Sequence, residues 1–139
     1  MKTGFTCSCF DLFHLGHVMM LKEAKSVCDY LVVGVQTDPT IDRKEKNEPV
    51  QSVFERVEQV RACRYVDEVV VYDTEASLID VLSTINPDIR IVGAEYDGRD
   101  FTGKHLSAET YYNKRNHRFS STNLRRKVVE AERTVTNDD

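Results

Sequence analysis

Leu31-Val32-Val33-Gly34-Val35, opened by Asp29-Tyr30, is apolar or glycine at every position. A strand with one wet face alternates apolar and polar side chains. An unbroken run therefore points to a strand covered on both faces, as in a parallel sheet wrapped by helices. The rest of the chain supplies the wrapping. A strand near Thr3–Ser8 leads to a helix at about His17–Val27, with His17, Leu21, Ala24 and Cys28 on one face. Ser52, with Glu55 three residues on, caps a helix from about Val53 to Cys63. Strand Val69–Tyr72, helix Ser77–Ile85 (ended by Asn86-Pro87) and strand Ile89–Gly93 follow. Glu95–Glu109 reads as a polar loop, Tyr111-Tyr112 as a short strand, and Ser121 or Thr122 as the cap of a last helix to about Arg133. The expectation is an α/β fold: a single Rossmann-like, doubly wound parallel sheet of about five strands with flanking helices. One domain covers residues 1–133, and 134–139 form a frayed tail.

Composition narrows the partners. The net charge of −4 and the pI near 5.6 exclude a broadly basic nucleic-acid binder, though not a local basic pocket. No apolar stretch approaches the roughly 20 residues of a membrane span, and the first residues lack the apolar core of a leader peptide, so a cytoplasmic location is expected. Cys7, Cys9, Cys28 and Cys63 are spread along the chain and read as reduced thiols packed as small hydrophobes. Cys7 and Cys9 share a strand face and could join His14 or His17 at a metal, but without a CxxC pair that reading is weak.

In doubly wound sheets, ligands bind beyond the carboxyl ends of the strands. Residues 8–17, 36–49, 93–96 and 115–122 should then face one cleft. Three of these segments suit phosphate. His14 and His17 sit at the start of a helix, with Gly16 between them to allow close approach to the main chain. Arg43-Lys44-Glu45-Lys46 lies in a loop that could close over a ligand. Arg115 and Arg118 precede Ser120-Ser121-Thr122 at another helix start, where guanidinium forks, hydroxyls and N–H groups converge.

Asp11-Leu12-Phe13-His14-Leu15-Gly16-His17 resembles the histidine signature of the cytidylyltransferase-like nucleotidyltransferases. Arg115 through Thr122 resembles their second signature. Arg64-Tyr65-Val66-Asp67-Glu68 and the lysine-rich loop also match, and the likeness is greatest to the glycerol-3-phosphate cytidylyltransferase branch. The resemblance implies transfer of CMP from CTP to a phosphate monoester, glycerol 3-phosphate or a related phosphorylated alcohol, with release of pyrophosphate. It implies Mg²⁺ carried on the triphosphate rather than by protein side chains, and a homodimer, with no nucleic-acid or membrane partner. An ATP-using adenylyltransferase of the same superfamily, or a non-catalytic nucleotide-binding homologue, is the alternative.

Carried over residue by residue, His14 and His17 would contact the triphosphate and stabilise the transition state. Lys46 would touch the nucleotide phosphates and Lys44 the acceptor phosphate. Arg115, Ser120, Ser121 and Thr122 would hold the departing phosphates. Cys9, Phe10, Gly16, Gly93 and Glu95 would border the nucleotide, and Asp11, Arg56 and Arg64 the acceptor. The family begins its first signature with Gly-Thr, where this chain has Ser8-Cys9, so a restricted backbone and altered phosphate contact are expected there. Where glycerol-phosphate enzymes carry a tryptophan and a lysine, this chain has Tyr72-Asp73-Thr74-Glu75. That acidic segment suggests an acceptor bearing an ammonium group.

Overall fold

The computed structural model describes residues 1–114 and 117–137. Five strands form one sheet: β1 (Thr3–Ser8), β2 (Tyr30–Gln36), β3 (Glu68–Tyr72), β4 (Ile89–Gly93) and β5 (Glu109–Asn113). All pairings are parallel, in the order β3-β2-β1-β4-β5. Helices α1 (Leu15–Ser26), α2 (Val53–Ala62) and α3 (Glu75–Ile85) are the crossovers, and α4 (Ser121–Asn137) closes the chain. The fold class is the one the apolar β2 run implies. Leu31, Val33 and Val35 pack with Leu21, Ala24 and Val60 on one face of the sheet. On the other face Val32 packs with Phe5, Tyr72, Leu78 and Leu82. Each of the Val, Leu and Phe side chains removed from water contributes about 1.5–3 kcal/mol.

Local signals set the helix ends. Ser52 accepts the Glu55 N–H, and Thr74 and Ser77 form a reciprocal cap on α3. Asn86, in the left-handed conformation, stops α3 before Pro87. Two elements differ from expectation. The polar stretch after β4 contains two short 3₁₀ turns, Ala94–Tyr96 and Lys104–Leu106. Residues 134–137, expected to fray, continue α4.

The sheet also creates the cleft. β1 pairs with β2 along all six of its residues, but with β4 only through Gly4↔Ile89 and Phe5↔Arg90. Beyond Phe5 and Arg90 the two strands part. Their carboxyl halves form the walls of a crevice at the point where the strand order reverses.

Candidate active site

Two cavities share that crevice. One, of about 260 Å³, lies on the α1 side, bordered by His14, His17, Met19, Gly93, Asn113 and Ser121. The other, of about 420 Å³, lies on the α3 side, bordered by Cys7, Cys9, Lys46, Tyr72, Arg90 and Thr102. Met20, Gly93 and Glu95 border both, so the two abut at the strand ends.

The histidines have distinct roles. His14 is the N-cap of α1, its Nδ1 accepting the Gly16 N–H at 3.0 Å. With Nδ1 an acceptor, the neutral ring carries its proton on Nε2, which lies 3.2 Å from Ser121 Oγ. Ser121 Oγ in turn donates to the Asp11 carbonyl at 3.4 Å, so His14 couples α1 to the start of α4. His17 Nδ1 accepts the His14 N–H at 3.2 Å, completing the cap. Its proton therefore sits on Nε2, which has no protein partner among the described residues. Phe13 stacks on the His17 ring at 5.4 Å and Phe10 tilts against it, fixing its orientation. Burial, reinforced by His14, pushes the His17 pKa down to about 4. At neutral pH His17 is thus an uncharged, positioned N–H donor.

This depressed pKa has a thermodynamic consequence. The unfolded imidazole, with its ordinary pKa of 6.5, binds a proton more readily than the folded one. Stability is therefore full above 6.5 and falls as the pH drops toward about 4, because Nδ1 must keep its lone pair for the His14 N–H. The shift corresponds to a loss on the order of 3 kcal/mol. Denaturant titrations at several pH values should show this slope in the wild type and a shallower one in His17→Gln. Equal slopes would contradict it.

Asp11 is not open to a substrate. Its carboxylate accepts the Val50 N–H at 2.8 Å, the Gln51 N–H at 3.0 Å and an Arg125 N–H at 2.6 Å. Burial alone would raise its pKa, but these donors outweigh it and hold the carboxyl below its ordinary value. Asp11 instead ties the end of the lysine-rich loop and α4 to the histidine segment. Arg56, also expected at the acceptor, is fully buried. It donates to the carbonyls of Gln51, Cys9, Gln36 and Thr37 at 2.5–3.0 Å, bracing three segments around the crevice. Arg64 follows the C-terminus of α2, at the opposite end of the sheet from the crevice, and lies beside Tyr65. In the same segment Asp67 accepts from the Leu31 N–H and Lys25, holding the entry to β2.

Phe10 is buried in the core, with its backbone left-handed at φ 54°, as is that of Leu12 at φ 52°. Ser8, where the family has glycine, lies in the regular strand opposite Val35, so the expected restriction falls two and four residues later. Cys9 borders the α3-side cavity rather than the histidines, and burial raises its thiol pKa. Lys46 borders the same cavity, while Lys44 is exposed and borders neither. Gly16 lies against His14 and the Phe119 carbonyl, which a β-carbon would approach to within 2.8–3.0 Å. Ser120 caps α4 through the Asn123 N–H and, with Ser121, borders the α1-side cavity. Thr122 is exposed. Arg115 lies outside the described residues. In the acidic segment, Glu75 is paired with Arg43 at 2.8 Å and Asp73 accepts from Thr37.

Two site residues carry no sequence signal strong enough to single them out. Asn113, at the end of β5, is buried in the wall of the α1-side cavity, and neither its amide nitrogen nor its oxygen has a partner among the described residues. An amide so placed offers one donor and one acceptor, the pattern of a nucleobase edge. The other is Arg90, at the floor of the crevice.

Residues 5–127 match a family model described as cytidylyltransferase-like. The chain is 37% identical over 106 residues to the bifunctional protein HldE of Campylobacter fetus, covering 76% of this chain and 23% of that protein. It is 43% identical over 96 residues to the bifunctional protein HldE of Paramagnetospirillum magneticum, covering 68% of this chain and 20% of the relative. The chain thus spans about a fifth to a quarter of the length of these curated relatives. Among solved structures, the lipopolysaccharide core biosynthesis protein of Thermoplasma volcanium superposes with a TM-score of 0.69 at 25% identity, covering 84% of this chain and 99% of that one.

Proposed function

This chain belongs to the cytidylyltransferase-like family, and on that premise we propose that it transfers a nucleoside monophosphate from a nucleoside triphosphate to a phosphate monoester, releasing pyrophosphate. The observation that carries this reading is the paired-histidine cap of α1. It presents a neutral, oriented N–H from His17 beside a cavity that Lys114, His117, Ser120 and Ser121 also border. The likeness to the HldE proteins favours ATP over CTP as donor. The Thermoplasma volcanium protein's role in lipopolysaccharide core biosynthesis points to a phosphorylated alcohol derived from carbohydrate as acceptor.

The chemistry needs no protein base. A phosphate monoester loses its second proton near pH 6, so its oxygen is already a nucleophile at neutral pH. That oxygen forms a bond to the α-phosphorus as the bond to the β-phosphate oxygen breaks, and pyrophosphate leaves. Catalysis is then positioning and charge stabilisation. His17 Nε2–H would meet a non-bridging oxygen on which charge develops. Ser120, Ser121 and the first turn of α4 would hold the departing phosphates, and Lys46 would face the acceptor. Asn113 would read the base edge from the α1-side cavity. The donor set suits a nucleotide entering as its Mg²⁺ complex. Mg²⁺ carried in on the triphosphate would offset the charge of its phosphates.

The test is a pyrophosphate-release assay crossing MgATP and MgCTP with a panel of phosphorylated sugars and polyols. Release with ATP is expected. Release with CTP alone would assign the cytidylyl form of the same reaction. Nucleotide binding without release in any combination would make the chain a non-catalytic homologue.

A further inference from the structure

Arg90 is the last β4 residue paired with β1, so it lies at the floor of the crevice where the two strands part. Gly93 is three positions further along β4, which places the Arg90 backbone about 10 Å below the strand ends. It is 4% exposed and borders the α3-side cavity. Its side chain lies beside the rings of Phe5 and Phe101. One terminal nitrogen donates to the Thr102 carbonyl at 2.8 Å, the other approaches Cys7 Sγ at 3.7 Å, and Nε has no partner among the described residues. No carboxylate forms an ion pair with it among the described residues.

Among the described residues none of the acidic side chains around the cavity forms an ion pair with Arg90 or Lys46. Glu75 is paired with Arg43, Asp42 accepts the Glu75 N–H, and Asp100 accepts the Phe101 N–H. The Glu95 carboxylate folds back over Gly93. Among the described residues Arg90 and Lys46 are thus the cations of this cavity without an acidic partner, one at its floor and one exposed at its mouth. A guanidinium taken out of water without a counter-charge is costly, and aromatic faces offset only part of that cost.

We propose that Arg90 binds a second anionic group of the acceptor, a carboxylate or a second phosphate at the end remote from the reacting phosphate. This rests on the nucleotidyl-transfer reading for where the reacting phosphate lies. The acceptor is then an acidic phosphorylated alcohol that spans the crevice from the histidines to the Arg90 fork. The Thr102 carbonyl and Gly103, whose left-handed φ of 78° lets the loop pack close to Arg90, orient the guanidinium toward it. A neutral diol or an ammonium group would leave the buried charge unpaired.

The test compares three probes of similar size: glycerol 3-phosphate with a neutral tail, phosphoethanolamine with a cationic tail and 3-phosphoglycerate with a carboxylate. Propane-1,3-diol bisphosphate separates phosphate from carboxylate. For wild type, kcat/KM in pyrophosphate release should be at least about tenfold higher with an anionic tail. Arg90→Gln should bring that ratio to about one, and Arg90→Lys should retain part of it. If Arg90 only braced the 96–102 loop, all acceptors would lose rate equally and the ratio would survive, which overturns the proposal. So would a preference of the wild type for a neutral or cationic tail. A binding readout separates this from the reaction itself. With no turnover on any acceptor, the nucleotidyl-transfer reading falls. Even then, 3-phosphoglycerate or the bisphosphate should raise the Tm of wild type more than glycerol 3-phosphate does, and Arg90→Gln should lose the difference. Equal shifts would overturn the Arg90 proposal on its own.

Discussion

His17→Ala is expected to lower kcat by about two to three orders of magnitude, the usual cost of removing one positioned donor from a charged transition state. The ring does two jobs through different nitrogens, and substitution can separate them. Nδ1 accepts the His14 N–H and completes the helix cap, while Nε2–H is left over on a ring that borders the cavity. Asparagine places an oxygen near the position of Nδ1 and nothing at Nε2. His17→Asn should therefore keep most of the stability and lose most of the turnover. Glutamine can place an amide N–H near Nε2 but gives up the cap, so His17→Gln should retain more turnover at lower stability. Because His17 is already neutral at working pH, its loss should not be rescued by acidification. If Asn and Gln variants lose stability and turnover in parallel, the division of labour is wrong.

The second large effect is structural. Arg56→Met should destabilise the fold by about 3–5 kcal/mol, with chemical denaturation as the readout. Methionine fills similar space, so a large cavity is not the cause. The cause is the loss of a buried guanidinium that satisfies four backbone carbonyls from three segments. Arg56→Lys can bond only some of them and should fall between wild type and methionine. A loss below about 1 kcal/mol for methionine would show that water or rearrangement satisfies those carbonyls instead.

The contrast between Arg56 and Arg90 shows how far a sequence like this one is legible. Both expose a cationic type at a position that patterning alone treats as solvent-facing, and both are buried. Arg90 carried only a partial clue, too weak to single it out: it is flanked by Ile89 and Ile91 in a short apolar strand, and an internal arginine needs an acceptor. Arg56 was expected at the acceptor and nothing local told of its burial, because its carbonyl partners come from segments whose path depends on the whole fold. The elements themselves were readable from apolar runs and caps because those signals are local, as with Ser52 capping α2. The histidine cap was legible as a pair of phosphate-directed imidazoles. Its asymmetry was not, since it depends on Ser121, over a hundred residues away, and on which ring nitrogen each backbone N–H engages. Asn113 was hidden for the same reason. A single polar residue ending a tyrosine-rich strand becomes a candidate base reader only when its amide is buried beside a cavity with no partner.

The central claim is attack at the α-phosphorus by a phosphate monoester, and ³¹P NMR of one reaction mixture tests it most directly. With MgATP and an acceptor that supports turnover, the monoester signal should be replaced by a pair of coupled phosphoanhydride resonances. Pyrophosphate should appear in equal amount. Formation of ADP, or release of inorganic phosphate while the monoester signal stays intact, would place the reaction at the γ-phosphorus and contradict the account.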